Sequence, residues 1–356
     1  MKLIDIYIRR NVLTNILLVL LILVGLFTFF SFIDELDDIG KERYGVLQAI
    51  QFVALEIPRH IYELFPSATL LGSLLGLGMM ANNNELTVIR AAGVSILRIA
   101  LAIFKVGIVL TLVAMLIGET LAPYSEQYAR NSRALAQSEH NLMAFNSRYG
   151  FWAHDGNNFI NISVILSDGG FGGITLYQFN QQQQLQHIIV ANRAYYEKDR
   201  WLLEQVKKTS IGATQVTSQQ LDKATWNAIL NPELVKLVVI NPQKLSSFGL
   251  LKYISYLKQN AQDYSRYELA LWSRLSYPLV SITMIFLAIP FVFGSLRSVS
   301  IGQRILVGAL LGIGFYMLNQ ISSYIGLVYE LHPAMSALLS PVIFLITAII
   351  LMRRTI

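Results

Sequence analysis

Six stretches of this chain are long, apolar and almost free of charge, and they decide what the rest can be. Residues 11–33, 64–84, 275–296, 305–329 and 331–352 hold no charged side chain, and 99–118 holds only Lys105. Each block has at least 20 residues, and an apolar helix of about 20 residues crosses the ~30 Å of bilayer hydrocarbon. Helices of soluble proteins average about a dozen residues, so one large soluble core is a poor account of six such blocks. The sequence predicts six transmembrane helices. The first block follows a basic start, "MKLIDIYIRR". It is too long for a secretion signal and has no small-x-small cleavage site, so it is expected to be a retained helix.

An even number of spans puts both ends of the chain on one side, and positive residues choose that side. Lys2, Arg9, Arg10, Arg90, Arg98, Arg297, Arg304, Arg353 and Arg354 fall together on it, which predicts the cytoplasm. The opposite short loop, expected over 34–63, sets Lys41, Arg43 and Arg59 against seven acidic residues. The loop near 330 has no Lys or Arg. The formal charge of +6 is thus mostly a record of topology and gives no support for nucleic-acid binding.

Between the third and fourth blocks the composition turns to Gln, Asn, Ser and aromatics. Short strand-like runs at 149–166, 172–180, 187–208 and 234–242 alternate with turn signals, which predicts an all-β domain, a sandwich or barrel. The stretch 246–275 looks helical, with Tyr267, Trp272 and Tyr277 placed as membrane-interface anchors. The expected division is 1–119 for helices one to three, 120–268 for the β domain with connecting helices, and 269–356 for helices four to six. The β domain lies outside the cytoplasmic membrane in this topology. The run "QQQQ" at 181–184 is a turn or solvated edge.

Signatures of bond chemistry are missing from the sequence. It has no G-x-x-x-x-G-K-[ST], so ATP hydrolysis must come from elsewhere. Cysteine is absent, which excludes disulfides and thiolate sites. The five histidines, His60, His140, His154, His187 and His332, are scattered. His154 and Asp155 are neighbours, but adjacent strand residues face opposite ways. No catalytic, cofactor or metal site is expected in this chain. No acid lies deep in a block, which argues against a proton- or sodium-driven carrier. Lys105 can snorkel to the inner edge.

Two small-residue pairs, Gly72/Gly76 and Gly308/Gly312, allow close helix approach; static packing and a sliding contact both remain open. Asn319 sits mid-block with Gln320 beside it, serving an interhelical hydrogen bond or the lining of a cavity. The stretch "GMMANNNELTVIRAAGVS" (78–95) interrupts the second and third blocks. Any of Asn82, Asn83 and Asn84 could cap a short helix, Glu85 suits its first turn, and Gly93 can end it.

Several stretches then carry a family likeness: "FPSATLLGSLLGLGMMANNNELTVIRAAGVS" (65–95), "IGETLAPYSEQYARNSRA" (117–134), "FWAHDGNNFI" (151–160), "SRYELALWSRLSYPL" (265–279) and "FVFGSLRSVSIGQRI" (291–305). In this order and spacing the chain resembles the LptF/LptG family, permease subunits of the bacterial lipopolysaccharide exporter. The resemblance implies an α-helical membrane protein whose six spans carry a periplasmic β-jellyroll between helices three and four. It implies a heterodimer with the LptF subunit around an outward-opening cavity, in the inner membrane. It also implies a motor of two LptB ATPases, which hold the ATP and Mg, together with LptC and a periplasmic bridge starting at LptA. The short helix near 82–93 would then dock on LptB through Glu85, Leu86, Ile89 and Arg90.

Lipopolysaccharide joins several acyl chains to phosphates, so its site needs apolar walls and cations. Block position makes Phe27, Phe30, Phe65 and Leu74 candidates for the walls, with core packing as the competing account of each. Asn319 joins them as a polar lining residue. Arg130 and Arg133 match family positions implicated in the charged part of the lipid. One departure matters. Adjacent lysines are common in the family after the first helix, whereas this chain has Asp37 and Asp38 there. Lys41 or Arg43 could take over that role. The rival readings are the family's other subunit, a permease for another lipid, and a membrane-anchored scaffold for periplasmic proteins.

Overall fold

The protein is described as a computed structural model covering residues 2–41, 43–136, 142–144, 151–155, 158–166, 170–180, 182–197, 200–212, 215–226, 242–294 and 299–355. In chain order come α1 (Lys2–Leu36), α2 (Val46–Asn82), the short α3 (Glu85–Ala91) and α4 (Ile96–Leu116). One π-helical turn (Ile117–Leu121) carries α4 into α5 (Ala122–Ala136). Strands β1 (Leu142–Ala144), β2 (Phe151–Asp155), β3 (Asn158–Leu166), β4 (Phe171–Phe179), β5 (Leu185–Glu197), β6 (Arg200–Ile211) and β7 (Val216–Trp226) follow. A 3₁₀ turn (Pro242–Lys244), α6 (Ser247–Gln259), α7 (Ser265–Phe293), α8 (Ile301–Val328) and α9 (Pro333–Thr355) complete the chain. Two compact units result: 1–37, 49–129 and 265–356 form the helical one, and 38–48 with 130–264 form the other.

Among the described residues, six helices are long and apolar enough to span a membrane: α1, α2, the α4–α5 rod, α7, α8 and α9. The loop expected over 34–63 is much shorter than that, because α2 already starts at Val46. Charge hid its first turns from a hydropathy reading, yet Arg59 and Glu63 lie one turn apart and pair at 2.6 Å. At 37 residues, α2 is roughly 55 Å long, well beyond the hydrocarbon thickness.

Small residues set the helix contacts. A Cβ on Gly72 would come within 2.5 Å of the Ile16 Cα, and one on Gly76 within 3.3 Å of the Val12 Cα, so α1 lies backbone-close against α2. On another side of α2, Leu71 and Leu74 fill the space where Gly308 of α8 has no side chain. The core around these contacts holds Ile8, Val12, Ile16, Leu70, Leu74, Leu77, Met80, Ile99, Ile103, Ile285 and Ile289, all at 1 % exposure or less. Helix α4 packs against α1 and α7, and α9 against α7 and α8.

The second unit is an antiparallel sheet in which β3 to β7 are consecutive neighbours, while β1 and β2 share the free edge of β3. Trp201 and Phe171 stack at 4.2 Å in its core, both almost fully buried. Strict alternation fails at one row. The ladder skips Gly173, Asn192 and Gln205, which sit side by side on β4, β5 and β6. Gly173 has φ 62° and Gln205 φ 53°. The pivot lets Phe171 and Ile174, three apart, both face inward, and likewise Leu203 and Val206. Helix α6 adds buried Leu250, Tyr253, Ile254 and Leu257, and its Tyr256 hydroxyl donates to the His154 carbonyl at 2.9 Å. The helical stretch expected over 246–275 is two helices, since Asn260 ends α6 and Ala261 turns left-handed with φ 51°. The strand expected over 234–242 lies, up to residue 241, outside the described residues, as do 156–157 and 198–199 of the expected turns.

The Gly72 contact gives a test with an internal control. Gly72→Ala should overpack the α1–α2 contact at a cost of about 1–3 kcal/mol, read as a lower melting temperature in detergent. Gly25→Ala on α1, where a Cβ meets nothing within 4 Å, should leave it unchanged or raised.

Candidate functional site

The polar island between α2 and α4 folds as a seven-residue helix seated on the helical core. Leu86 is buried at 3 % exposure and Ile89 packs against the same core, which anchors α3 from below. Thr87, Val88 and Arg90 face outward. Gly93 ends the element with φ 84°, as expected of a glycine stop. The cap differs from expectation. Asn84 occupies the N-cap position in the left-handed region, φ 60°, and makes no side-chain cap bond. A capping side chain works from an extended N-cap, as at Ser95, whose side chain accepts from the Arg98 amide at the start of α4.

Glu85 is held by side chains. The Tyr7 hydroxyl of α1 donates to its Oε2 at 2.9 Å, and the Asn83 amide donates to Oε1 at 3.1 Å. Asp5 of α1 receives Arg98 of α4 in a two-point ion pair, at 3.0 and 3.2 Å. A recess of about 360 Å³ separates α3 from the end of α7, lined by Leu86, Thr87, Arg90, Val292 and Phe293. Beside it, the fully buried Arg304 of α8 donates to Asn82 at the end of α2, at 2.7 Å, lying where Gly78 offers no side chain.

A second polar cluster went unnoticed in the sequence. Arg274 of α7, at 6 % exposure, pairs with Glu119 of the π turn at 2.7 Å. Tyr62 of α2 stacks on Tyr277 at 4.2 Å, and the Tyr277 hydroxyl donates to the Tyr62 carbonyl at 2.8 Å. Gly118 in the π turn makes room for the Tyr62 ring, which a Cβ would meet at 2.2 Å. Tyr277 is therefore a buried packing residue and not the interface anchor that hydropathy suggested, because Tyr62 and the core take its ring. The only hint in the sequence was "SRLSYPL", in which one arginine enters an apolar run.

The basic candidates divide by how they are held. Asp38 accepts from both Lys41 and Arg133, residues far apart in sequence, and the Arg133 guanidinium lies 6.0 Å over the Tyr44 ring. The Arg43 amide donates to the Ala136 carbonyl at 3.1 Å, fastening the turn to the end of α5. Arg130 lies one helical turn before Arg133 and is exposed. The clasp thus joins Lys41 and Arg133 through Asp38, one of the two acids that stand where the family often has lysines.

Among the apolar candidates, Phe27 and Phe30 of α1 are exposed at 45 % and 53 %, with the Phe27 ring 6.3 Å from His60. Phe65 and Leu74 are side chains of the chain's own core, at 3 % and 0 %. They belong to the faces of α2 that receive Tyr277 and α8. Asn319 is half-buried on α8, and its carbonyl accepts from Ser322 at 3.0 Å. His154 rests against Phe159, ring to ring at 4.6 Å.

Six apolar spans, a β domain inserted after the third, and a short helix seated between the second and third define a membrane permease subunit. The family model of the lipopolysaccharide export system permease LptF/LptG matches residues 6–354. The chain is 39 % identical to lipopolysaccharide export system permease protein LptG of Escherichia coli over 356 residues, 99 % of this chain and 98 % of that protein. It is 35 % identical to the protein of the same name from Haemophilus influenzae over 345 residues, 96 % of each. The chain belongs to the LptF/LptG family. It is a multi-pass inner-membrane permease subunit of the lipopolysaccharide exporter, and the scaffold and other-lipid readings are not favoured.

The buried ion pair predicts an asymmetry. Glu119→Ala should cost about 3–5 kcal/mol, because it leaves a buried guanidinium without its carboxylate. Arg274→Met should cost clearly less, since Glu119 keeps 28 % side-chain exposure. Thermal unfolding of the two purified variants checks the order.

Proposed function

We propose that this chain is the LptG-type half of a permease pair with LptF, driven by two LptB ATPases. LptB holds ATP and Mg in this reading, and the present chain performs no bond chemistry. LptC and the LptA bridge complete the route for lipopolysaccharide. The distribution of nine basic residues along the sequence supports cytoplasmic termini and a periplasmic β domain.

The observation that carries the proposal is the seating of α3. Its apolar side is sunk in the helical core while its Glu85 carboxylate stands half-exposed, oriented by two donors. A short helix so fixed passes a push from a docked ATPase straight into α2 and α4. The Arg304–Asn82 bond extends that link to α8. Among the spans α1 and α8 have the least surface buried within the chain, and Leu21, Phe30, Leu310 and Met317 stand exposed on them. These faces suit a partner subunit and the acyl chains of a lipid between them. The Asp38 clasp presents Lys41 and Arg133 to lipid phosphate, with Arg43 and Arg130 close in sequence.

Two experiments test this in the assembled complex. Glu85→Ala should uncouple transport from hydrolysis, and normal transport per ATP would refute the docking role. Lys41→Glu and Arg133→Glu should each weaken lipopolysaccharide capture and lipid-stimulated ATPase activity. Unchanged capture in both would remove the phosphate role from the clasp.

A further inference from the structure

The first turns of α1 are usually read from sequence as a basic lead-in to a membrane span, yet here they grip the α2–α3–α4 hairpin at two points. Tyr7 reaches Glu85 at the start of α3, and Asp5 reaches Arg98 in the first turn of α4. The two residues lie two apart on α1, so one short segment contacts both the start of α3 and the start of α4. The Arg9 side chain donates back to the Asp5 carbonyl at 3.0 Å, which stiffens that segment.

The grip has a consequence for Glu85. No cap bond from Asn84 orders the start of α3, so the geometry of the carboxylate depends on the groups that touch it. Asn83 is its near neighbour and moves with it. Tyr7 is on a different helix, 78 residues away, and supplies the fixed reference. The ring of Tyr7 also joins Leu3, Ile4, Val88 and Ile89 around an open apolar recess beside Glu85.

We propose that Tyr7 is a positioning residue for coupling: its hydroxyl sets the Glu85 carboxylate for the ATPase contact and makes α1 a direct receiver of motion delivered at α3. This rests on the docking role of Glu85 proposed above. Movement of α3 then reaches α1 through the Tyr7 hydrogen bond and the Asp5–Arg98 pair, without passing first through the loops of the chain. A face of α1 that is little buried within the subunit is thereby linked to the motor side.

The test uses the complete complex in nanodiscs and reads lipopolysaccharide released per ATP hydrolysed. Tyr7→Phe keeps the ring and deletes only the hydroxyl. Release per ATP should fall by roughly three- to tenfold, the size of losing one solvent-accessible hydrogen bond, with assembly and melting temperature unchanged. Glu85→Gln should also lower it, and the double variant should be no worse than Glu85→Gln alone, since residues acting through one another are not additive. Losses that multiply would overturn the inference, as would a melting temperature that drops in step with coupling. A Tyr7→Phe complex that behaves as wild type beside an impaired Glu85→Gln overturns the Tyr7 role and leaves the docking reading standing. Wild-type behaviour of Glu85→Gln overturns both.

Discussion

The contact between α1 and α2 governs the helical unit. In lipid there is little hydrophobic drive between helices, so association depends on close packing and polar contacts. Gly72 and Gly76 supply the packing, letting Ile16 and Val12 approach at backbone distance. The two helices run antiparallel, and their register continues past the glycines. Ile8 and Met80 are both fully buried further along, and beyond them Tyr7 meets Glu85. A change of one residue in that register would rotate Tyr7 away from the carboxylate. Helix α3 is therefore placed by a glycine contact lying about two to three turns away from it along α2.

Charged groups inside such a unit are costly unless paired or hydrogen-bonded, and Arg304 and Arg274 each end on an oxygen of another span. Arg304 is fully buried but ends on Asn82 next to α3. Arg274 ends on Glu119 in the π turn. Each joins two spans whose apolar surfaces alone would leave them free to slide. The π turn itself inserts extra backbone between α4 and α5, which lets Gly118 clear the Tyr62 ring while Glu119 reaches Arg274. Such single π turns are often found where a helix serves a function. Polar latches thus sit near both ends of the spans, and the glycine contacts lie between them.

Much of this was legible in the sequence, and the failures have physical causes. Six apolar blocks, five of them free of charge, forced six spans, and Gly93 and the triple asparagine marked the limits of α3. The start of α2 was missed because Arg59 and Glu63 read as loop residues to hydropathy, although their spacing of four is a helical pair. Tyr277 was taken for an anchor because sequence shows its polar tip but not the Tyr62 ring that buries it. Phe65 and Leu74 were placed in the right helix, but which face meets α7 and α8 depends on packing that one helix does not reveal. The contacts of Tyr7, Arg274 and Arg304 were not legible because each acts on a residue far away in the chain.

The clasp at Asp38 changes the meaning of an acid in a basic site. Read in sequence, Asp37 and Asp38 stand where lysines would attract phosphate, and they count as repulsion. In the fold, Asp38 lies between Lys41 and Arg133 and holds together one cation from the turn after α1 and one from α5. Its charge is compensated, and the three side chains together remain positive. A phosphate approaching this group competes with one carboxylate for Arg133, and it brings more oxygens and more charge than a carboxylate does. On the phosphate role proposed for the clasp, an anion reaches Arg133 by displacing the Asp38 carboxylate from it. Phosphates on a lipid anchored by its acyl chains are also concentrated at the membrane, which lowers the entropy lost on binding.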